Sequence, residues 1–244
     1  MRVHIVLLFS LLMVSSLQAQ PLRIVTEEFA PYNFQVGDEA KGLSSEVVQA
    51  VLKHVKLEAS IEFYPWARAY EIAQAGKNTL IYSIARIPER EALFDWVGAI
   101  APYNTSLYKL KLNKYIKVNS IDEAKQYQIG VSLNDVTGTY LRRHDFTSLK
   151  TVSKDVLNIR LLAKNRIDLI AYEEASFVHT LQEEGLDTSL FERVYRLDEL
   201  SDQLYMAFSL GSDTDLVASF KAGLKAIKMN GLYDQIQMKY LSVE

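Results

Sequence analysis

Strand-like apolar runs alternate with helix-period segments along almost the whole chain, and the alternation runs through twice. This is the pattern of α/β architecture, because parallel strands need a helix to carry the chain back between them. In the first series residues 22–26 read as a strand, a loop holds Pro31 and Gly42, and Ser44 or Ser45 caps a helix with Val47, Val48, Val51, Leu52 and Val55 on one apolar face. Residues 60–64 follow as a strand, 67–75 as a helix and 79–84 as a buried strand. The second series has strands at 128–132, 149–152 and 168–172, alternating with helices from about Thr139, from 156 to 164 behind a Ser153 cap, and from 174 to 184 ending at Gly185. Between the two series residues 106–112 alternate with period two, and Ser120 with Glu123 forms a capping box that predicts a further helix. A strand at 194–197, an extended run at 203–209 and helices at 214–229 and 233–241 complete the chain.

Two α/β units joined by two extended segments predict a chain that crosses to a second lobe and returns. Lobe 1 is then 20–108 with 206–244, lobe 2 is 109–205, and each lobe is a mixed sheet flanked by helices. Ligands in open α/β sheets sit beyond the carboxyl ends of the strands, so two facing sheets make a cleft. Arg90 and Glu173 both follow strand ends. Arg86 and Arg90 bracket Pro88 directly after the buried strand, and a guanidinium there offers a planar fork for a carboxylate. The alternative for Arg90 is a surface pair with Glu89, Glu91 or Asp95 in a short helix. Glu173 and Glu174 equally suit the first turn of a helix. Trp66 reads as pocket floor or as packing between lobes, and Arg68 and Arg86 as ligand contacts or as solvated basic side chains.

Residues 1–19, with Arg2 before an apolar run and a small Ala19, read as a secretory signal peptide, and the run is shorter than the ~20 residues that span a bilayer. With no Cys in the chain, neither a lipid-anchored cysteine nor a disulfide framework is available, and a free periplasmic protein is expected. Cleavage after residue 19 leaves 26 basic against 30 acidic residues, a net charge of −4 with both signs interspersed. That excludes nucleic acid and an anionic membrane surface as expected partners. His54, His144 and His179 lack metal-ligand spacing, and no serine-hydrolase, zinc-protease or phosphate-loop motif is present, so neither an enzyme nor a cofactor is expected.

The chain resembles the periplasmic solute-binding proteins of ABC importers, in the family that binds polar amino acids. The carriers are Phe29-Ala-Pro-Tyr32, Gly42 with its helix, Arg86-Ile-Pro-Glu-Arg90 with Phe94-Asp-Trp96, Ser106-Leu-Tyr108-Lys, Ile129-Gly-Val131, Asp168 to Glu173, Leu204 to Phe208, and Gly231-Leu-Tyr233-Asp-Gln-Ile. The resemblance implies the two-lobed type II fold with two crossover hinge strands, a monomer, and a small solute, an amino acid or related carboxylate, delivered to an ABC permease in the inner membrane. By position it implies Arg90 as the grip on the ligand's α-carboxylate and Glu173 as partner of its ammonium. It likewise implies Phe29 as a ring packed on the ligand, Pro65 and Trp66 as the floor, and backbone N–H groups of Thr137, Gly138 and Thr139 as a second hold on the carboxylate. Ala85 stands where the family has Ser or Thr, Arg86 adds a cation, and Glu173 replaces the usual Asp, which keeps a dicarboxylate or other anion open. Two alternatives share the fold: a dehydratase acting on prephenate or arogenate with Glu173 as general acid, and a sensory protein that presents its ligand to a membrane receptor.

Overall fold

The computed structural model describes residues 21–200 and 202–241, so the expected signal peptide lies outside the described residues. Strand β1 (Arg23–Thr26) is followed by a ribbon of β2 (Phe34–Val36) and β3 (Glu39–Lys41), then α1 (Leu43–Val55), β4 (Ile61–Phe63), α2 (Trp66–Ala75), β5 (Thr79–Ala85), the short α3 (Pro88–Glu91) and β6 (Phe94–Tyr103). The middle of the chain gives β7 (Thr105–Leu110), β8 (Ile129–Ser132), α4 (Val136–Arg143), β9 (Leu149–Val152), α5 (Asp155–Ala163), β10 (Leu169–Glu173), α6 (Glu174–Glu183) and β11 (Phe191–Arg196). It closes with β12 (Asp202–Ser209), α7 (Thr214–Met229) and α8 (Leu232–Leu241).

The strands form two five-stranded mixed sheets, in the orders β4-β1-β5-β12-β6 and β11-β7-β10-β8-β9. β1, β4 and β5 run parallel, as do β8, β9 and β10, so each set ends on one edge of its sheet. The first crossing turns on Asn104 alone, since Tyr103 ends a strand of the first sheet and Thr105 begins one of the second. The return runs from Arg196 to Asp202. Residues 105–110 therefore pair in the second sheet and 202–209 in the first, so the chain changes sheet a few residues before the boundaries drawn from sequence at 108 and 205.

Alternation along the first sheet sorts its side chains onto two faces. Ile24, Leu80, Tyr82, Met206 and Phe208 join the core built on α1 and α7, while Val25, Ile81 and Ala207 join the core under α2. Helix α1 starts at Gly42 rather than at a serine cap: the carbonyls of Pro31 and Tyr32 take the first N–H groups, and Ser45 turns inward to the Tyr82 hydroxyl at 2.8 Å. Gly42 has φ 103°, and a Cβ there would lie 2.5 Å from the Tyr32 carbonyl oxygen, so only glycine fits. The capping box at Ser120 yields only a 3₁₀ turn, Asp122–Gln126, because the chain must enter β8 at Ile129. Helix α4 begins at Val136, ahead of the expected start, with Asp135 as its cap, and α5 begins at Asp155.

Candidate functional site

Strand β5 delivers its end to the cleft through a bulge. Ser83 takes a left-handed φ of 59°, and the register against β12 shifts there, from Met206 opposite Tyr82 to Tyr205 opposite Ile84. Parity flips beyond it: Ile84 joins the α2 face and Ala85 the other. A bulge re-aims the residues that follow, at a conformational cost of about 1–3 kcal/mol for a non-glycine residue. Ser83 Oγ donates to Asn33 Oδ1 at 2.5 Å, and Asn33 donates in turn to the Glu27 carbonyl at 2.6 Å, so the bulge is tied to the loop after β1.

Past the bulge, Pro88 turns the chain into α3 and Arg90 points back under the strand end. Its side chain is 4% exposed. Nη1 donates to the Ala85 carbonyl at 3.2 Å and Nη2 to the Asn134 carbonyl at 3.1 Å, while the Trp66 and Tyr70 rings each lie 5.1 Å from the guanidinium. The surface alternative fails on its partners, because Glu89 pairs with Arg143 and Glu91 with Arg86. Asn134 belongs to the loop after β8, so Arg90 reaches across to the second sheet, and Trp66 Nε1 donates to the same carbonyl at 2.9 Å.

The second sheet answers with carboxylates. Glu173, also 4% exposed, caps α6: one oxygen accepts from Ser176 N–H at 2.7 Å and the other from the Tyr32 hydroxyl at 2.9 Å. Asp135 caps α4 through Thr137 N–H at 3.1 Å, and Asp155, first residue of α5, accepts from the Ser132 hydroxyl. Glu27, just beyond β1, completes the group. These four carboxylates, Arg90, Phe29, Trp66, Ser83, Ala85, Tyr103 and Thr137 all line one cavity of about 40 Å³. A wider groove of about 590 Å³ opens beyond it and shares the walls made by Glu27, Phe29, Trp66, Asp155 and Tyr172.

Crowding like charges in a place poor in water raises their proton affinity. Burial pushes Glu173 up to about 7, and burial with the neighbouring Asp135 pushes Asp155 up to about 6. Burial also raises Glu27 and Asp135, each opposed by attraction to Arg90. Among the described residues, no group of three or more His, Cys, Asp or Glu side chains could hold a metal ion, so the acids are not arranged as a metal centre.

Of the residues singled out from sequence, Arg90, Glu173, Phe29, Trp66 and Thr137 come together, and Pro65 lines the outer groove. Gly138 and Thr139 do not line the cavity; Thr139 spends its hydroxyl on the Asp135 carbonyl at 3.0 Å. Arg86 lies outside, paired with Glu91 and resting on Trp96, and Arg68 is exposed beside Glu71. Sequence reasoning missed Glu27, Asp135 and Asp155. Each stands at a strand end or a helix start, which was the one signal available.

The profile of bacterial extracellular solute-binding proteins, family 3, matches residues 22–243. Among solved structures, the chain is similar to a histidine kinase sensor domain with similarity to periplasmic binding proteins, at 17% identity and TM-score 0.82 over 91% of this chain and 96% of that one. It is similar to the substrate-binding protein of an amino acid ABC transporter, at 17% identity and TM-score 0.78 over 91% and 99%. An ancestral arginine-binding protein bound to arginine matches at 20% identity and TM-score 0.76 over 91% and 98%. At such identities the likeness concerns the fold, the type II arrangement of two mixed sheets flanked by helices that was expected.

Proposed function

The chain belongs to family 3 of the bacterial extracellular solute-binding proteins, and from that membership we propose that it captures a small amine-bearing solute between its two sheets and delivers it, in the periplasm and as a monomer, to an ABC permease. The observation that carries this reading is the meeting of Arg90 and Glu173, both buried, from different sheets in one cavity. Four carboxylates beside one guanidinium favour a ligand with positive charge and oppose a dicarboxylate, since like charges brought together out of water repel strongly. Amino acids are the first class to examine, and the similar proteins from an amino acid transporter and bound to arginine point the same way.

A thermal-shift screen of the purified protein against basic, neutral and acidic amino acids, amines and dicarboxylates tests the reading. Ligand at a hundred times its Kd stabilises the folded state by about 2.7 kcal/mol. Basic and amine-bearing compounds are expected to raise Tm; a screen in which no solute does so would remove the binding function. The dehydratase alternative needs cations around an anionic substrate, whereas Arg90 is the only Lys or Arg among the described residues that line the cavity. The likeness to a kinase sensor domain favours a second reading, in which the loaded protein signals to a separate membrane receptor. Uptake of labelled solute by cells lacking this protein separates the two, because only a transport component lowers it.

A further inference from the structure

Three helices begin at the cleft, and each carries an acid at its own start. Helix N-termini attract anions, since their first N–H groups lack partners and the helix dipole adds positive potential. An amino acid's carboxylate would use such an end. Here Asp135 already takes the Thr137 N–H, Glu173 takes the Ser176 N–H, and Asp155 sits in the first turn of α5. Of the N–H groups at 137–139 expected to hold a ligand carboxylate, that of Thr137 is thus taken by the Asp135 side chain and that of Thr139 by the Asp135 carbonyl.

Arg90 is in the same position. Its Nη1 and Nη2 donate to the Ala85 and Asn134 carbonyls, and the Trp66 and Tyr70 rings flank it. A ligand carboxylate entering the cavity would therefore compete with Asp135 for the Thr137 N–H and lie among four carboxylates. A cation meets the opposite situation. Its head fits among Glu27, Asp135, Asp155 and Glu173, and a chain can leave past Phe29 and Trp66 into the outer groove, where Phe34, Phe63 and Tyr64 offer apolar surface.

We propose that the cleft selects organic cations that lack a carboxylate, primary amines or guanidines, with Asp135 holding, at the Thr137 N–H, the place an amino acid's α-carboxylate would take. This rests on the solute-binding reading above and narrows it. Matched pairs that differ only by the carboxylate test it directly: arginine with agmatine, ornithine with putrescine, lysine with cadaverine, histidine with histamine. Calorimetry on the wild-type protein is expected to show the decarboxylated member of the binding pair at least tenfold tighter. In Asp135→Asn, and in Asp135→Ser, which keeps a helix cap should the first variant fold poorly, the preference is expected to narrow tenfold or reverse. Tighter binding of the amino acid by wild type overturns the proposal, as does an unchanged preference in a folded Asp135 variant. Failure of every pair overturns it too, and leaves the solute-binding reading to stand or fall on the broader screen.

Discussion

On its first-sheet side the cleft is walled by rings around a single cation, Trp66 and Tyr70 against Arg90 with Phe29 close by, whereas on the second-sheet side three helix starts each bring a carboxylate to it. Glu27 is the one acid the first sheet adds. Rings and a guanidinium keep the same charge across the physiological range, while Glu173 and Asp155, pushed up to about 7 and about 6, titrate within it. One wall therefore supplies fixed shape, and the other supplies charge that depends on proton and solute.

The sharpest way to break that division is to remove the cation. In Arg90→Met the cavity loses the only Lys or Arg that lines it among the described residues, and removing one side of a buried charge arrangement costs up to about 3–5 kcal/mol. Urea unfolding should show a loss of that order at pH 8 and a smaller one at pH 5, where Glu173 and Asp155 are protonated. Equal losses at both would mean that Arg90 acts only through its packing on Trp66 and Tyr70.

The next effect is the pH dependence of the unaltered protein. Glu173 rises from its ordinary 4.5 to about 7 on folding, so the folded state binds its proton more tightly than the unfolded state. Its contribution to stability is whole below the unfolded value and disappears as pH rises through 7; Asp155, raised from 3.8 to about 6, acts in the same direction. The solute-free protein should lose stability from pH 5 to 8, at up to about 1.4 kcal/mol per pH unit from Glu173 alone, while affinity for a cation increases over the same window. Glu173→Gln should flatten both curves and weaken a cationic ligand about tenfold at pH 8. Unaltered curves in that variant would move the titration away from α6.

Smaller changes test the fixed wall. Trp66→Phe keeps the ring but removes the bond to the Asn134 carbonyl, a loss of about 1 kcal/mol from contact between the sheets. The expected readout is a larger radius of gyration by small-angle scattering without solute, restored when solute is bound; an unchanged value would show that this bond does not govern opening. Arg86→Ala should change affinity less than twofold and stability by under about 1 kcal/mol, because its pair with Glu91 is exposed. A larger drop in affinity would return Arg86 to the site.

Where a residue's role follows from its own segment, the sequence was readable. Apolar alternation located β1, β5, β8, β9 and β10, and with them the strand ends that carry Arg90 and Glu173. Strand β6 went unread because Gly98 and Pro102 interrupt it; both are tolerated since β6 is an edge strand, and at Gly98 a Cβ would stand 2.8 Å from Leu224. The acid group was hidden for another reason. Asp135 and Asp155 are brought together by neighbouring helix starts of the second sheet, Glu27 joins them only when the two sheets face each other, and each alone looks like an ordinary residue at a helix or strand terminus.

The Asn134 carbonyl, which accepts from both Trp66 and Arg90, has a further consequence if the proposed solute capture is signalled by shape, as in a carrier read by a downstream receiver. Those bonds are made by the protein to itself, so they favour the shut shape with or without cargo. A solute shifts an open–shut balance only by the difference in its affinity for the two shapes. Every 1.4 kcal/mol of built-in attraction raises the shut-to-open ratio of the empty carrier about tenfold. A downstream receiver that recognises the shut shape would then meet empty carriers more often, and the contrast between empty and full is set partly by a single peptide oxygen. Because that oxygen is backbone, replacing the side chain leaves the acceptor in place; what can re-aim it is the left-handed turn at Asn134, φ 57°, a conformation that asparagine and glycine accept and β-branched residues resist. For a protein that signalled its load by shape, the fidelity of empty against full would therefore rest on a backbone angle.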